Sequence, residues 1–241
     1  MKIAITVTSI LLFTTQFIRA QTVAERKIYE AYDNIVGVEN TGLFNGTEFT
    51  DLFLNTDGTY RYFKGYDYVR GTINYNGEFY SNVLLKYDLF EDNLITHSEG
   101  KLSVFNVKLI PNFITSFSIY DRNFVKIAAL NLPLAGNGFF EEAYLGNQFK
   151  LYIKHSKRKK DKPLKSGVQY QFSINNYYLL RVDGNYAVIN SIKDLRRALP
   201  EREDDIRKFY KSYKKLYKAN PDSFMIKLIT HLEGLSKPSK I

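Results

Sequence analysis

The strongest constraint on this chain is punctuation. Asp57-Gly58, Asn76-Gly77 and Asp183-Gly184 each interrupt runs rich in Tyr, Phe, Val, Ile and Thr. Such dipeptides suit type I′ turns, whose two central residues must both take positive φ. A type I′ turn matches the right-handed twist of two antiparallel strands, so these dipeptides predict hairpins. Between Gly46 and Ile189 the runs are short and the turn signals frequent. "VRGTINY" puts Val69, Gly71, Ile73 and Tyr75 on one face and Arg70, Thr72 and Asn74 on the other, the alternation of a half-buried strand. "LSVFNVKLI" and "FITSFSIY" read the same way. Ten or more strands at this spacing predict a barrel-like or sandwich body, mainly antiparallel.

The pattern changes at both ends. "TVAERKIYEAYDNIVG" repeats Ala24, Ile28, Ala31, Tyr32 and Ile35 at helical spacing and predicts an N-terminal helix closed by Gly37. After residue 190, Ser191 with Asp194 three positions on reads as a capping-box variant. Ile206, Phe209, Tyr210, Tyr213, Leu216 and Tyr217 then form one stripe, acids leading and lysines trailing as the helix dipole favours. Asn220-Pro221 opens a further helix carrying Phe224, Leu228, Ile229 and Leu232, and Gly234 stops it. The expected class is α+β. A β-rich body with its N-terminal helix covers 21–190, two or three C-terminal helices over 191–235 pack on it, and a loose tail spans 236–241.

Residues 1–20 carry the layout of a secretory signal peptide. "MK" is followed by the apolar stretch Ile3 to Phe13 and then by Ala20. The apolar stretch is shorter than the ~20 residues that span a bilayer. No other run approaches that length, so the mature chain is expected to have no transmembrane span. The sequence holds no Cys, so an exported form would rely on its core rather than on disulfides, and a bacterial lipoprotein anchor is not expected. The whole chain has 34 Lys and Arg against 25 Asp and Glu; cleavage after Ala20 would leave 32 against 25, a net +7. Basicity often points to nucleic acid, but export turns the expectation towards anionic envelope components.

That charge concentrates in "KHSKRKKDKPLK", residues 154–165, with Lys154, Lys157, Arg158, Lys159, Lys160, Lys162 and Lys165. One reading is a solvated hairpin loop, since charge runs usually are solvated. The other is an electrostatic patch for an anionic surface. No aromatic interleaves the run, so base stacking is not supported.

Catalytic and metal motifs are absent from the sequence. His97, His155 and His231 lie far apart, outside any HExxH spacing. There is no G-x-S-x-G elbow. Glu141-Glu142 and Glu91-Asp92 are adjacent pairs. Neighbours on a strand face opposite ways, so each pair shares no pocket, and Glu91-Asp92 reads as a turn. "GNG" at 136–138 opens no helix and is no dinucleotide loop. Nineteen Tyr and eighteen Phe without Trp read as core packing rather than sugar platforms. No cofactor or metal is expected.

"GFFEEAYLGNQFKLYIK", the Lys-rich run and "NNYYLLRVDGNYAVINSIKDLRRALPEREDDIRKFYK" together resemble an abundant family of exported Bacteroidota proteins. "NGTEFTDLF" and "GTINYNGEFYSNVLLKYDLFEDNLI" fit the N-terminal part of the same family. The resemblance implies a periplasmic or cell-envelope location and a β-rich body with a helical C-terminus. It implies no reaction and no site residues. The functional expectation is therefore a non-enzymatic envelope protein that binds a partner protein or an anionic envelope component. A carrier of a small apolar or lipid ligand in the β body, and a hydrolase with a composite site, stay open beside it.

Overall fold

The computed structural model describes residues 41–53, 58–98, 105–127, 138–164 and 167–235. The N-terminal helix, the signal peptide and the tail read from the sequence lie outside these residues. The described chain begins with β1 (Thr47–Glu48), β2 (Val69–Tyr75), β3 (Glu78–Asp88) and β4 (Asn93–His97). It continues with β5 (Asn106–Lys108), β6 (Ile114–Ile119), β7 (Arg122–Ile127), β8 (Gly138–Leu145) and β9 (Phe149–Lys154). The last strands are β10 (Lys157–Leu164), β11 (Gly167–Ile174), β12 (Tyr177–Val182) and β13 (Asn185–Ile189). Helices α1 (Ile192–Ala198), α2 (Glu203–Ala219) and α3 (Pro221–Glu233) follow. The molecule is α+β, a large antiparallel sheet with three C-terminal helices.

Two of the three turn signals act as read. Asn76-Gly77, at φ 51° and 84°, joins β2 to β3, and Asp183-Gly184, at φ 47° and 85°, joins β12 to β13. The third does not open a strand. Gly58 has φ 77°, but the residues after it form only one isolated bridge, Tyr62 to Asp88. Arg61 holds that segment instead. It ion-pairs with Asp88 and Glu91, and its guanidinium lies 4.8 Å from the Phe53 ring centre and 5.5 Å from that of Phe90.

Eleven strands form one sheet in the order β1-β5-β4-β3-β2-β6-β7-β8-β9-β12-β13. Among the described residues no pairing joins β1 to β13, so the sheet is open rather than closed as a barrel. Strands β10 and β11 form a separate two-stranded sheet between β9 and β12 in the chain.

Two cores lie along this sheet. The first is aromatic: Phe117 and Phe124 stack at 4.7 Å, and Tyr87 meets their edges at 5.2 and 5.4 Å. In the second, Phe149, Leu151 and Ile153 of β9 and Tyr178 and Leu180 of β12 meet Leu195, Ile206, Phe209, Phe224, Leu228 and Leu232 of the helices. Phe140, Tyr152 and Leu179 form a smaller buried group beside them. The caps work as expected: Ser191 accepts from the Asp194 N–H at 3.2 Å and Asn220 from that of Ser223 at 2.9 Å. The stripe on α2 is broken at one point. Tyr213 has non-helical dihedrals and is exposed, so Ile206 and Phe209 before this kink carry the deepest burial. At the far end of α3, Glu233 accepts from the N–H groups of Asn147, Gln148 and Phe149 at 2.9 to 3.0 Å. It ties the helical layer to the β8–β9 turn.

Candidate functional site

A cleft of about 290 Å³ opens where the ends of β9 and β11, the start of β10 and the first turn of α3 come together. Glu141 of β8 and His155, just past β9, reach it from neighbouring strands. In the β8–β9 ladder Glu141 pairs with Ile153, and His155 lies two residues beyond on the same side, which makes it a diagonal neighbour. Their contact is 2.6 Å, from His155 Nε2 to Glu141 Oε2. Glu142, the next residue, does not line the cleft, as strand alternation requires.

A string of hydrogen bonds fixes the protonation pattern. Asn176 Oδ1 accepts from the Ser156 N–H at 3.3 Å. Asn176 Nδ2 lies 3.0 Å from Asp222 Oδ2 and 3.1 Å from His155 Nδ1. A carboxylate only accepts, so Nδ2 is the donor end of this amide, and His155 Nδ1 accepts from it. The imidazole therefore carries its proton on Nε2 and donates it to Glu141. Both ring nitrogens are engaged. Tyr178 completes the string by donating to Asp222 Oδ1 at 2.8 Å. Burial, with Asp222 beside it, pushes the Tyr178 hydroxyl well above its usual range. Arg122 of β7 pairs with the other oxygen of Glu141. Burial alone would raise the Glu141 pKa, but His155 and Arg122 together hold it below the usual carboxylate value.

Behind the cleft, Lys154 is buried and pairs with Asp92 at 2.5 Å. Its amine also donates to the Phe139 carbonyl at 3.1 Å, and Tyr87 donates to Asp92 at 2.5 Å. Gly138 makes room for this pair, because a Cβ there would collide with both the Asp92 carboxylate and the Lys154 amine. Burial lowers the Lys154 pKa against the pull of Asp92.

The basic run is thus divided by the fold, and the loop reading is corrected. Residues 157–164 are strand β10, paired with β11 from Lys157↔Ile174 to Leu164↔Gly167. The charges can occupy a strand because the inward ones lie on aromatic rings. Lys157 Nζ sits 4.0 Å from the Tyr60 ring centre and donates to the Tyr60 carbonyl. Lys159 lies 4.9 Å from the ring centre of Phe53 and 4.7 Å from that of Tyr170, and pairs with Asp161 at 3.1 Å. Phe172 of β11, buried, packs on Phe53 and Phe90 at 6.1 and 5.7 Å and anchors the hairpin. Arg158, Lys160 and Lys162 point the other way and are exposed. Lys165 lies outside the described residues. Of the six described cations of the run, Lys154 is internal, Lys157 faces the cleft, Lys159 is partly covered, and Arg158, Lys160 and Lys162 are exposed.

The mouth of the cleft is basic. Lys64 is exposed and Arg122 half-exposed beside the partly buried Lys157. Burial pushes the Lys157 amine down to about 8, against the field of Asp88. His97 contacts Asn106 at 2.9 Å, and His231 lies 5.1 Å from the Phe209 ring centre, so neither belongs to the cleft. Among the described residues no group of three or more His, Asp or Glu is placed to hold a metal ion. No helix among them is long and apolar enough to cross a membrane.

No family model matches this sequence, and comparisons with curated proteins and with solved structures find no match.

Proposed function

We propose that this is an exported, non-enzymatic cell-envelope protein that docks on an anionic envelope surface through the outer face of the β10–β11 hairpin. The supporting observation is the alternation in β10. Arg158, Lys160 and Lys162 stand exposed on one face, while Phe172 on the partner strand anchors the hairpin to the body. Residues two apart on a strand are separated by about 6.7 Å, so the three cations form a flat row rather than a pocket. A flat row of like charges suits an array of phosphates better than one ion. Each such residue near an anionic leaflet contributes about 1 kcal/mol, and salt screens the contribution. The layout of residues 1–20 supports export into the compartment where such surfaces occur.

The other readings have less support. A lipid inside the β body would need space where Phe117, Phe124, Tyr87 and Phe139 now pack ring to ring. A hydrolase would need a free base to activate a nucleophile such as Ser223, which lines the cleft. Among the described residues His155 bonds only to Glu141 and Asn176, and both bonds use its ring nitrogens.

The test is sedimentation of residues 21–241 with vesicles of phosphatidylglycerol or of phosphatidylcholine. Binding to the anionic vesicles alone is expected, weakening as salt rises. The triple variant Arg158→Gln, Lys160→Gln, Lys162→Gln is expected to bind about 100-fold less well, from three contributions of about 1 kcal/mol. Equal binding of the variant would refute the assignment. Failure on vesicles, with salt-sensitive capture of one envelope protein that the triple variant loses, would show the acidic surface to be a protein.

A further inference from the structure

We propose that the cleft between the hairpin root and α3 binds a small organic oxyanion, a carboxylate or a phosphate monoester, gripped by Lys64, Lys157 and Arg122. This rests on the cleft alone and is independent of the hairpin docking above.

The first argument is an excess of donors. Lys64 has no ion-pair partner among the described residues: its carbonyl accepts from Tyr60, and its amine lies over the Tyr120 and Phe63 rings at 5.0 and 5.6 Å without an anionic acceptor. Lys157 is likewise without an ion pair there, and spends one N–H on the Tyr60 carbonyl. Arg122 spends Nη1 on Glu141 and keeps the rest of its fork, on a side chain 44% exposed. The second argument is that the acids are already occupied. Both oxygens of Glu141 are taken, by Arg122 and His155, and both of Asp222, by Tyr178 and Asn176. The cleft therefore offers cationic donors while its carboxylates are turned into the wall. An oxyanion supplies the missing acceptors, and the planar guanidinium matches two oxygens at once.

The third argument is size and lining. A volume of about 290 Å³ lies near the lower end of the usual range for small-molecule sites. Phe63, Leu89, Ile153 and Ile226 give apolar wall beside the cations, so the ligand carries a short organic part as well as its charge. The low Lys157 pKa agrees with a half-buried cation that lacks a counterion.

Calorimetric titration of residues 21–241 with inorganic phosphate, glycerol 3-phosphate, succinate and uncharged glycerol tests this. We expect one equivalent of at least one anion to bind, and none of the glycerol. The arms separate phosphate from carboxylate recognition. Lys64→Gln alters an exposed side chain and should fold normally; with Lys157→Gln added, affinity should fall by about tenfold or more. The hairpin variant Arg158→Gln, Lys160→Gln, Lys162→Gln should bind the anion as the parent does. In an NMR titration the Lys157 amine should move to a higher pKa when the anion is bound. No binding of any of the three anions at about 10 mM, or undiminished binding by the double lysine variant, would overturn the proposal.

Discussion

Lys154 and Lys157 are three residues apart, yet the structure handles their charges differently. Lys154 is buried with a carboxylate against it, at 2.5 Å from Asp92. Removing one partner of a buried pair leaves an uncompensated charge, which costs more than the pair contributes. Asp92→Asn should therefore destabilise the protein by about 3 kcal/mol, and adding Lys154→Met should recover most of that. A double-mutant cycle by urea unfolding reads this directly; equal losses in the single and double variants would show that the charge is not the cause. Lys157 has no such partner, and burial lowers its pKa from 10.5 to about 8. Between these values the unfolded chain holds the proton and the folded chain does not. Stability then rises with pH across that window, and the cost of burying the cation is fully present below it. Lys157→Met should abolish that rise, as followed by urea midpoints at several pH values from about 8 to 10.5, and should leave the protein no less stable at neutral pH.

At the scale of elements, the helical layer is fastened by contacts at both ends of α3. Asp222 in the first turn holds Tyr178 and Asn176, and Glu233 in the last turn gathers three N–H groups of the β8–β9 turn. Glu233→Ala leaves those three donors without their acceptor, and a loss of about 1–3 kcal/mol is expected. Amide exchange of Asn147, Gln148 and Phe149 should accelerate well beyond that of the β12–β13 hairpin; uniform acceleration would argue that the clamp is not local. Neither clamp was legible in the sequence, because Glu233 and Phe149 meet only across the fold. What was legible is local. Asn76-Gly77 and Asp183-Gly184 announce their turns through dihedral preference, and Ser191 and Asn220 announce their caps through the donors they satisfy. The β6–β7 turn escaped notice because Tyr120 and Asp121, at φ 52° and 57°, take the same positive dihedrals without glycine. The charged run misled for a related reason. Its composition signals solvent, while its strand state depends on Phe53 and Tyr60, about a hundred residues away, and on Tyr170 of the paired strand β11. Glu141 and His155 are 14 residues apart, and only the register of β8 on β9 makes them neighbours.

Across the whole molecule, the two cores share one sheet, and the polar string from Arg122 through Glu141, His155 and Asn176 to Asp222 crosses between them. Arg122 belongs to a strand of the first core, and Asp222 to a helix of the second. Glu141 bridges Arg122, on a strand of the first core, and the His155 imidazole that leads to the second, and that imidazole also packs on Phe63 and Phe124 of the first core. The charge state of this carboxylate should therefore govern how firmly the halves hold. Its folded pKa lies below its ordinary value of 4.5, since His155 and Arg122 outweigh the opposing effect of burial. A carboxylate depressed in this way contributes stability that is fully present above the unfolded value, and that is lost as pH falls through the folded one. Glu141→Gln mimics the protonated state, so at neutral pH it should cost about 1–3 kcal/mol and bring the variant close to the acid-weakened parent. As pH falls through the folded value the two proteins should converge in stability, the parent falling more steeply than the variant. Thermal unfolding followed at several pH values tests this. Parallel acid limbs for parent and variant would mean that another depressed carboxylate, Glu91, which Arg61 and Lys108 hold below its ordinary value despite burial, carries the acid sensitivity instead.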